Sequence, residues 1–412
     1  MVVTRWTANT KLKYIPNPKT PGSKSYPRYE KYSQAKTVGE ALSLGAYPPD
    51  LLWDYERGFY KITGGEMREE PVDVQKAQAE GQELTKTDLI LGKWVLKELC
   101  KALGVDEKKL TGEATWSESG ISRGLRLLSD REAANTIERA AAEGRAIRNE
   151  ELLAVLRRWA YFKNPWRVNV MKEGQTWVNS DTVGLNCGRD GSVHITPPTE
   201  SYKDVMRLLC QWMKDRQPAE LKGVPFHFTS VNMNFGYAAQ RHRDGNNTGL
   251  SMLAGFGDYT GGELRYWPDD PGSKAGANLD DFQVKDAITV DLKKELLLFD
   301  GRRAHEVLAF KGERYSLVWF SCARYWDAGS EALKKLTDLG FVIPTEAAVT
   351  SISRLLRPPG KPAVRGGGTE GALRWPSDRG SEEGAAAAKR GRGQAAPGEK
   401  RRKVATPCGG NE

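Results

Sequence analysis

The hydrophobic pattern of this chain changes period near residue 165, and that change limits the folds open to it. Before that point the spacing is helical. In Thr85–Leu103 the apolar residues Leu91, Val95, Leu99 and Leu103 recur at four-residue steps, with Trp94 beside them, and the pattern stops at Gly104. Ser129-Asp130 reads as the N-cap of a helix through Ala142, and Asn149 as the cap of another containing Leu152, Val155, Leu156 and Trp159. Beyond residue 165 the apolar residues alternate. Trp166–Met171, Ser192–Thr196, Phe226–Phe235, Leu250–Phe256, Glu263–Trp267, Ala287–Val290, Glu295–Phe299, His305–Phe310 and Tyr315–Cys322 read as strands. One helix, Ser201–Lys214, interrupts them. Short alternating strands between Gly, Asp and Asn turns predict an antiparallel sandwich or barrel.

The expected class is therefore α+β, with five segments. Residues 1–36 form a basic, aromatic, irregular arm, and 37–162 a mainly helical region with no evident chemistry. Residues 164–328 form the β domain, 329–354 a helical extension, and 355–412 a disordered basic tail. In the arm, lysines and Arg28 alternate with Tyr14, Tyr26, Tyr29 and Tyr32. Cations that meet phosphates and rings that stack on bases suit nucleic acid; rings packed on the next helix are the other reading. The tail holds 12 Lys/Arg against 6 Asp/Glu, with 12 Gly and 6 Pro. Such a composition buries too little apolar surface to order itself. Within it Lys389-Arg390 and Lys400–Lys403 have the form of a bipartite nuclear import signal, or of a nonspecific polyanion contact.

Composition excludes several classes. No apolar run approaches the ~18–20 residues that span a bilayer, and Met1–Tyr14 lacks the apolar core of a secretory signal. Five cysteines without a C-x-x-C pair argue against a zinc module or a disulfide framework, and for a reducing compartment, nucleus or cytosol.

Only four histidines are present. His194 and His227 lie inside alternating strands and read as structural. His242 ends a strand, and Asp244 follows on the same side of the extended chain, with Arg243 facing away toward any approaching polyanion. His305 begins a later strand after an Asp300-Gly301 turn. Two histidines and a carboxylate make the facial set that holds Fe(II) with open positions; a closed zinc site needs a fourth ligand, and none is evident. Arg314 and Ser316 share one face of the next strand. An inward arginine is costly unless it meets an anion, such as the far carboxylate of a dicarboxylic acid.

His-x-Asp, a distal His and Arg-x-Ser, in this order and spacing, resemble the motifs of 2-oxoglutarate/Fe(II)-dependent dioxygenases. The run HRDGNNTGLSMLAGFGDYTGGELRYW is similar to the nucleic-acid-modifying branch, with the ten-eleven translocation methylcytosine dioxygenases and J-binding-protein thymine hydroxylases, and to oxygenase domains of dinoflagellates and other algae. The resemblance covers Pro165–Tyr325. It implies a double-stranded β-helix (jelly roll), Fe(II) on His242, Asp244 and His305, and 2-oxoglutarate on Arg314 and Ser316, with Asn232 or Asn234 contacting the cosubstrate or the metal shell. The implied reaction uses O₂, releases succinate and hydroxylates a C–H bond, here of a nucleic-acid base such as a methylated pyrimidine. The scattered cysteines do not reproduce the cysteine-rich region of the methylcytosine enzymes. A flipped base needs an aromatic neighbour, for which Tyr237, Tyr259 and Trp267 are candidates. The same motifs serve protein prolyl or lysyl hydroxylation, and a non-catalytic nucleic-acid-binding jelly roll is the reading from another class.

Overall fold

The computed structural model describes residues 5–68, 71–112, 118–188, 190–218, 221, 223–272, 277–360 and 368–378. The basic clusters at 389–403 and Cys408 lie outside the described residues. Among the described residues no helix is long and apolar enough to cross a membrane.

The N-terminal segment builds β1 (Lys11–Tyr14), α1 (Tyr26–Tyr32), α2 (Val38–Ser43), α3 (Pro48–Glu56) and β2 (Tyr60–Gly64), with β1 and β2 antiparallel. Its core is aromatic. Trp6, Tyr29, Tyr32 and Tyr60 are buried, and Tyr14 packs edge-on against Tyr29 with centroids 5.5 Å apart. The Tyr32 hydroxyl donates to Asp54 at 2.8 Å, and Tyr29 donates to the carbonyls of Ile15 and Phe59. This corrects the arm reading: these rings stack on one another and are closed to bases. The boundary expected at residue 36 falls inside this unit, because Val38, Ala41 and Leu51 complete the same core.

The helices that follow are α4 (Val74–Ala79), α5 (Lys86–Leu103), α6 (Glu107–Thr111), α7 (Gly120–Ala142) and α8 (Asn149–Arg158). Thr85 and Asp88 form a capping box on α5, and Gly104 ends it at φ 67°. The start expected at Ser129 is wrong. Ser119 caps α7, and Ser129 lies buried in mid-helix, donating to the Val155 carbonyl at 2.9 Å. A serine that satisfies its hydroxyl on a neighbouring helix reads in sequence like a cap. Asn149 is likewise the first residue of α8, after its cap at Arg148, and its amide oxygen accepts from Trp212 and Arg216.

The β domain contains β3 (Lys163–Asn164), β4 (Val178–Cys187), β5 (Val193–Ile195), α9 (Pro197–Ser201), α10 (Lys203–Asp215), β6 (Ser230–Phe235), β7 (Asn247–Phe256), β8 (Tyr259–Gly261), β9 (Leu264–Tyr266), β10 (Ile288–Val290), β11 (Glu295–Phe299), β12 (His305–Val307), β13 (Phe310–Gly312) and β14 (Tyr315–Cys322). It is completed by α11 (Gly329–Asp338), α12 (Glu346–Ser353) and β15 (Leu373–Pro376). An antiparallel sheet runs β15-β11-β7-β14-β6-β4-β3, with β5 paired to β4. A smaller sheet runs β10-β9-β12, and β8 pairs with β13.

Alternation assigns the two faces of the large sheet. Leu317 and Trp319 of β14, Val231 and Met233 of β6, and Met252 and Ala254 of β7 face α10 in one core. There Trp319 stacks on Trp212 with centroids 5.2 Å apart, each buried ring contributing about 2–3 kcal/mol. The opposite face packs against the small sheet through Leu253, Leu297, Phe299, Leu264 and Tyr266. Between the two sheets lies a cavity.

Two strand expectations need correction. Trp166–Met171 forms consecutive turns, and the strand beside β6 is β4. The pattern of β4 is hidden because Ser180 and Asp181 spend their polar groups inside the protein. Residues 368–378, expected within a disordered tail, are folded: Leu373 and Trp375 of β15 pair with Leu298 and Leu296.

Candidate metal centre

The segment 239–244 lies antiparallel beside β12. His242 and His305 exchange backbone hydrogen bonds of 2.9 and 3.0 Å, Val307 donates to Ala239, and Asp244 donates to Gly301 at 2.8 Å. This register brings the two histidines, 63 residues apart in sequence, to a ring-centroid distance of 4.1 Å. One ligand atom from each of His242, Asp244 and His305 lies within 4.8 Å of the others.

The tautomers suit a metal. His242 Nδ1 faces the Gln240 carbonyl at 2.8 Å, and His305 Nδ1 faces that of Arg303 at 2.8 Å. A carbonyl only accepts, so each Nδ1 carries the proton and each Nε2 keeps its lone pair. Those Nε2 atoms lie 3.7 and 3.9 Å from the Asp244 oxygens. Adjacent ligands about 2.1 Å from an ion are about 3 Å apart, so a contraction of about 1 Å closes the set. Burial, with His305 alongside, pushes the His242 imidazole down to about 3. Burial raises the Asp244 carboxyl, but the charges of His305, His242 and Arg167 outweigh it and hold the group below its ordinary value. Both shifts favour the deprotonated, ligating forms.

Arg243 does not face a polyanion, as its place in the alternation suggested. Its guanidinium grips the fully buried Asp270 through Nε at 2.6 Å and Nη2 at 2.8 Å. The same carboxylate accepts the backbone N–H of Ala304, next to His305, and that of Gly272. One buried acid thus ties the His242–Asp244 segment to the start of β12. Sequence reading missed Asp270, whose only signal was its place in a polar Asp-Asp-Pro-Gly turn.

Arg314 and Ser316 line the same cavity, as do Asn232, Asn234 and Tyr237. Arg314 is buried, and its Nε donates to the Gly262 carbonyl at 3.2 Å. Its Nη2 and the neighbouring Tyr259 hydroxyl are both buried, and neither completes a hydrogen bond. Burial lowers the guanidinium below its ordinary value. A buried cation with an unused donor fits a carboxylate ligand. Ser180, which sequence reading missed, donates to Asn232 and Asn234 at 2.9 and 3.0 Å, and Tyr237 donates to Asn234 at 2.6 Å. The aromatic candidates therefore separate. Tyr237 lines the cavity, Tyr259 packs beside Arg314, and Trp267 is buried with its indole N–H on the Gln283 carbonyl.

The helical region closes the cavity wall. Arg126 of α7 pairs with Asp181 at 3.1 Å and Glu118 at 3.2 Å, while Trp159 and the Phe162 backbone also donate to Asp181. The cavity measures about 1070 Å³, against roughly 300–1,000 Å³ for ordinary ligand pockets, so a dicarboxylate and a second ligand fit together. His194 is exposed and His227 buried, and neither lines this cavity.

No protein-family model and no curated protein matches the chain. Among solved structures, NgTET1 in complex with 5mC DNA is similar over 35% of this chain and 60% of that one, at 14% identity and a TM-score of 0.24. A prolyl hydroxylase from Trichoplax adhaerens, in complex with a hypoxia inducible factor oxygen degradation domain peptide fragment, is similar over 57% of this chain and 93% of that one, at 13% identity and a TM-score of 0.25. This chain thus spans less than two thirds of the NgTET1 chain. At these values the assignment rests on the residues of the chain itself.

Proposed function

We propose that this chain is a 2-oxoglutarate- and Fe(II)-dependent dioxygenase that hydroxylates a C–H bond of a nucleic-acid base, a methylated pyrimidine included, within a double-stranded β-helix. One observation carries the reaction class. Two histidines with free Nε2 atoms and a carboxylate converge in the cavity that also holds Arg314, a buried guanidinium with an unused donor.

His242, Asp244 and His305 would hold Fe(II), which supplies O₂ activation coupled to decarboxylation of 2-oxoglutarate to succinate. Arg314 and Ser316 take the far carboxylate and so set the depth and direction of the cosubstrate. Asn232 and Asn234, aligned by Ser180, present amides to it. The α10 core and the Arg126–Asp181 wall exclude water from the back of the cavity. The net charge of +9 supports a polyanionic substrate, and the basic clusters at 389–403 are proposed as an import signal to the nucleus.

The test is succinate formation with Fe(II), 2-oxoglutarate and methylated DNA, RNA or a proline/lysine peptide panel. Base oxidation seen by mass spectrometry and lost in His242→Ala is expected. Hydroxylated peptide with unchanged nucleic acid moves the substrate to protein, and failure to bind metal anaerobically removes the enzyme reading altogether. A fluorescent fusion excluded from nuclei would remove the localisation.

A further inference from the structure

We infer that Arg167 binds a phosphate of the nucleic-acid strand whose base enters the cavity, with the Phe162–Trp166 stack as the flat surface beside it; this rests on the nucleic-acid reading above.

The charges lining the cavity are otherwise accounted for. Arg126 is paired with Asp181 and Glu118. Asp244 faces the two histidines, and Arg314 sits deep with Gly262 and Tyr259. Arg167 is different. Its side chain makes no hydrogen bond or ion pair among the described residues, although it lines the cavity and is half-buried. Its positive charge acts on His242, Asp244 and Tyr237 together, which places it beside the metal centre.

The backbone holds it there. The Val170 N–H donates to the Arg167 carbonyl at 3.0 Å, and the Gln240 N–H donates to the Val170 carbonyl at 3.0 Å. Gln240 is two residues before His242, and Val170 is buried, so the turn carrying Arg167 is fastened to the ligand-bearing segment. On its other side Trp166, 45% exposed, stacks on Phe162 with centroids 5.7 Å apart. Lys163 lies over the Trp177 ring at 4.4 Å.

A guanidinium at the mouth needs a counter-anion from the ligand, and its planar fork matches phosphate oxygens. A carboxylate on an acidic peptide would satisfy the fork too, but would leave the exposed Trp166 face unused. A strand that lays a neighbouring base on this face and a phosphate on Arg167 uses both.

The test uses the full chain loaded with Mn(II) and 2-oxoglutarate, and a fluorescein-labelled single-stranded 12-mer carrying 5-methylcytosine. Arg167→Ala is expected to weaken binding by 10-fold or more and to reduce the slope of log K against log salt by about 0.7, the share of one phosphate on a single strand. Arg167→Lys keeps part of the affinity. A probe with one neutral methylphosphonate linkage beside the modified base weakens wild type but not Arg167→Ala. Mn(II) and 2-oxoglutarate affinities, measured by calorimetry, stay unchanged. If wild type binds the 12-mer and Arg167→Ala binds it equally with the same slope, the inference is overturned and the nucleic-acid reading stands. If wild type holds Mn(II) and 2-oxoglutarate yet ignores the 12-mer, both fall. Loss of 2-oxoglutarate affinity in Arg167→Ala would assign the residue to the cosubstrate and overturn the inference.

Discussion

Replacing Asp270 by Asn should damage the metal centre without touching a ligand. One Asp270 oxygen accepts Arg243 Nη2 and the Gly272 N–H, and the other accepts Arg243 Nε and the Ala304 N–H. In Asp270→Asn one oxygen becomes an NH₂ group that confronts two donors. Two hydrogen bonds are lost, and Arg243, whose side chain is only 11% exposed, keeps its charge with no counter-charge. Breaking such a buried pair costs about 3–5 kcal/mol, a large part of the roughly 5–15 kcal/mol that stabilises a domain. The strain falls on Arg243, between His242 and Asp244, and on Ala304, beside His305. Mn(II) affinity should therefore drop about 10–100-fold, as for other groups that orient metal ligands. Calorimetric Mn(II) titration and thermal unfolding of the apo-protein read the two effects separately. Asp270→Asn that unfolds earlier but binds Mn(II) within twofold of wild type would refute the coupling and leave Asp270 as fold support alone.

Arg314→Met should raise the 2-oxoglutarate KM by about 100-fold, the loss of one charge-assisted pair, while anaerobic Mn(II) binding stays intact; steady-state succinate assays read it. His227 is buried with both ring nitrogens unpartnered, and burial lowers its imidazole from 6.5 to about 4. The unfolded chain therefore binds the extra proton between those values, and folding stability falls with the pH from about 6.5 to 4, by about 3 kcal/mol. His227→Leu should flatten that part of the acid limb in urea titrations, and an unchanged limb would contradict the assignment. Trp375→Ala removes a buried ring from the edge pairing of β15 with β11 and should cost about 3 kcal/mol, read as a lowered Tm.

Much of the β domain was legible in the sequence because alternation is a local property. Tyr315–Cys322 shows its two faces in the residues themselves, and His242, Asp244, His305, Arg314 and Ser316 stand at strand ends or on one face of a strand. The failures share a cause. β4 escaped because Ser180 and Asp181 are polar yet buried, satisfied by Asn232, Asn234 and Arg126 from distant segments. The tyrosines of the N-terminal segment look the same in sequence whether they stack on a base or on one another. β15 is four residues among Gly and Pro, too short to stand out from its surroundings.

What the sequence determined by itself was the ligand set and the face on which each member lies, since side-chain direction along a strand follows from backbone geometry. Only the tertiary structure decided what those groups meet. It turned Arg243 inward onto Asp270, left Arg314 with an unused donor, and set Arg167 at the mouth with no acceptor of its own. The partner of a charged side chain comes from whichever segment the fold brings beside it, and no local period encodes that.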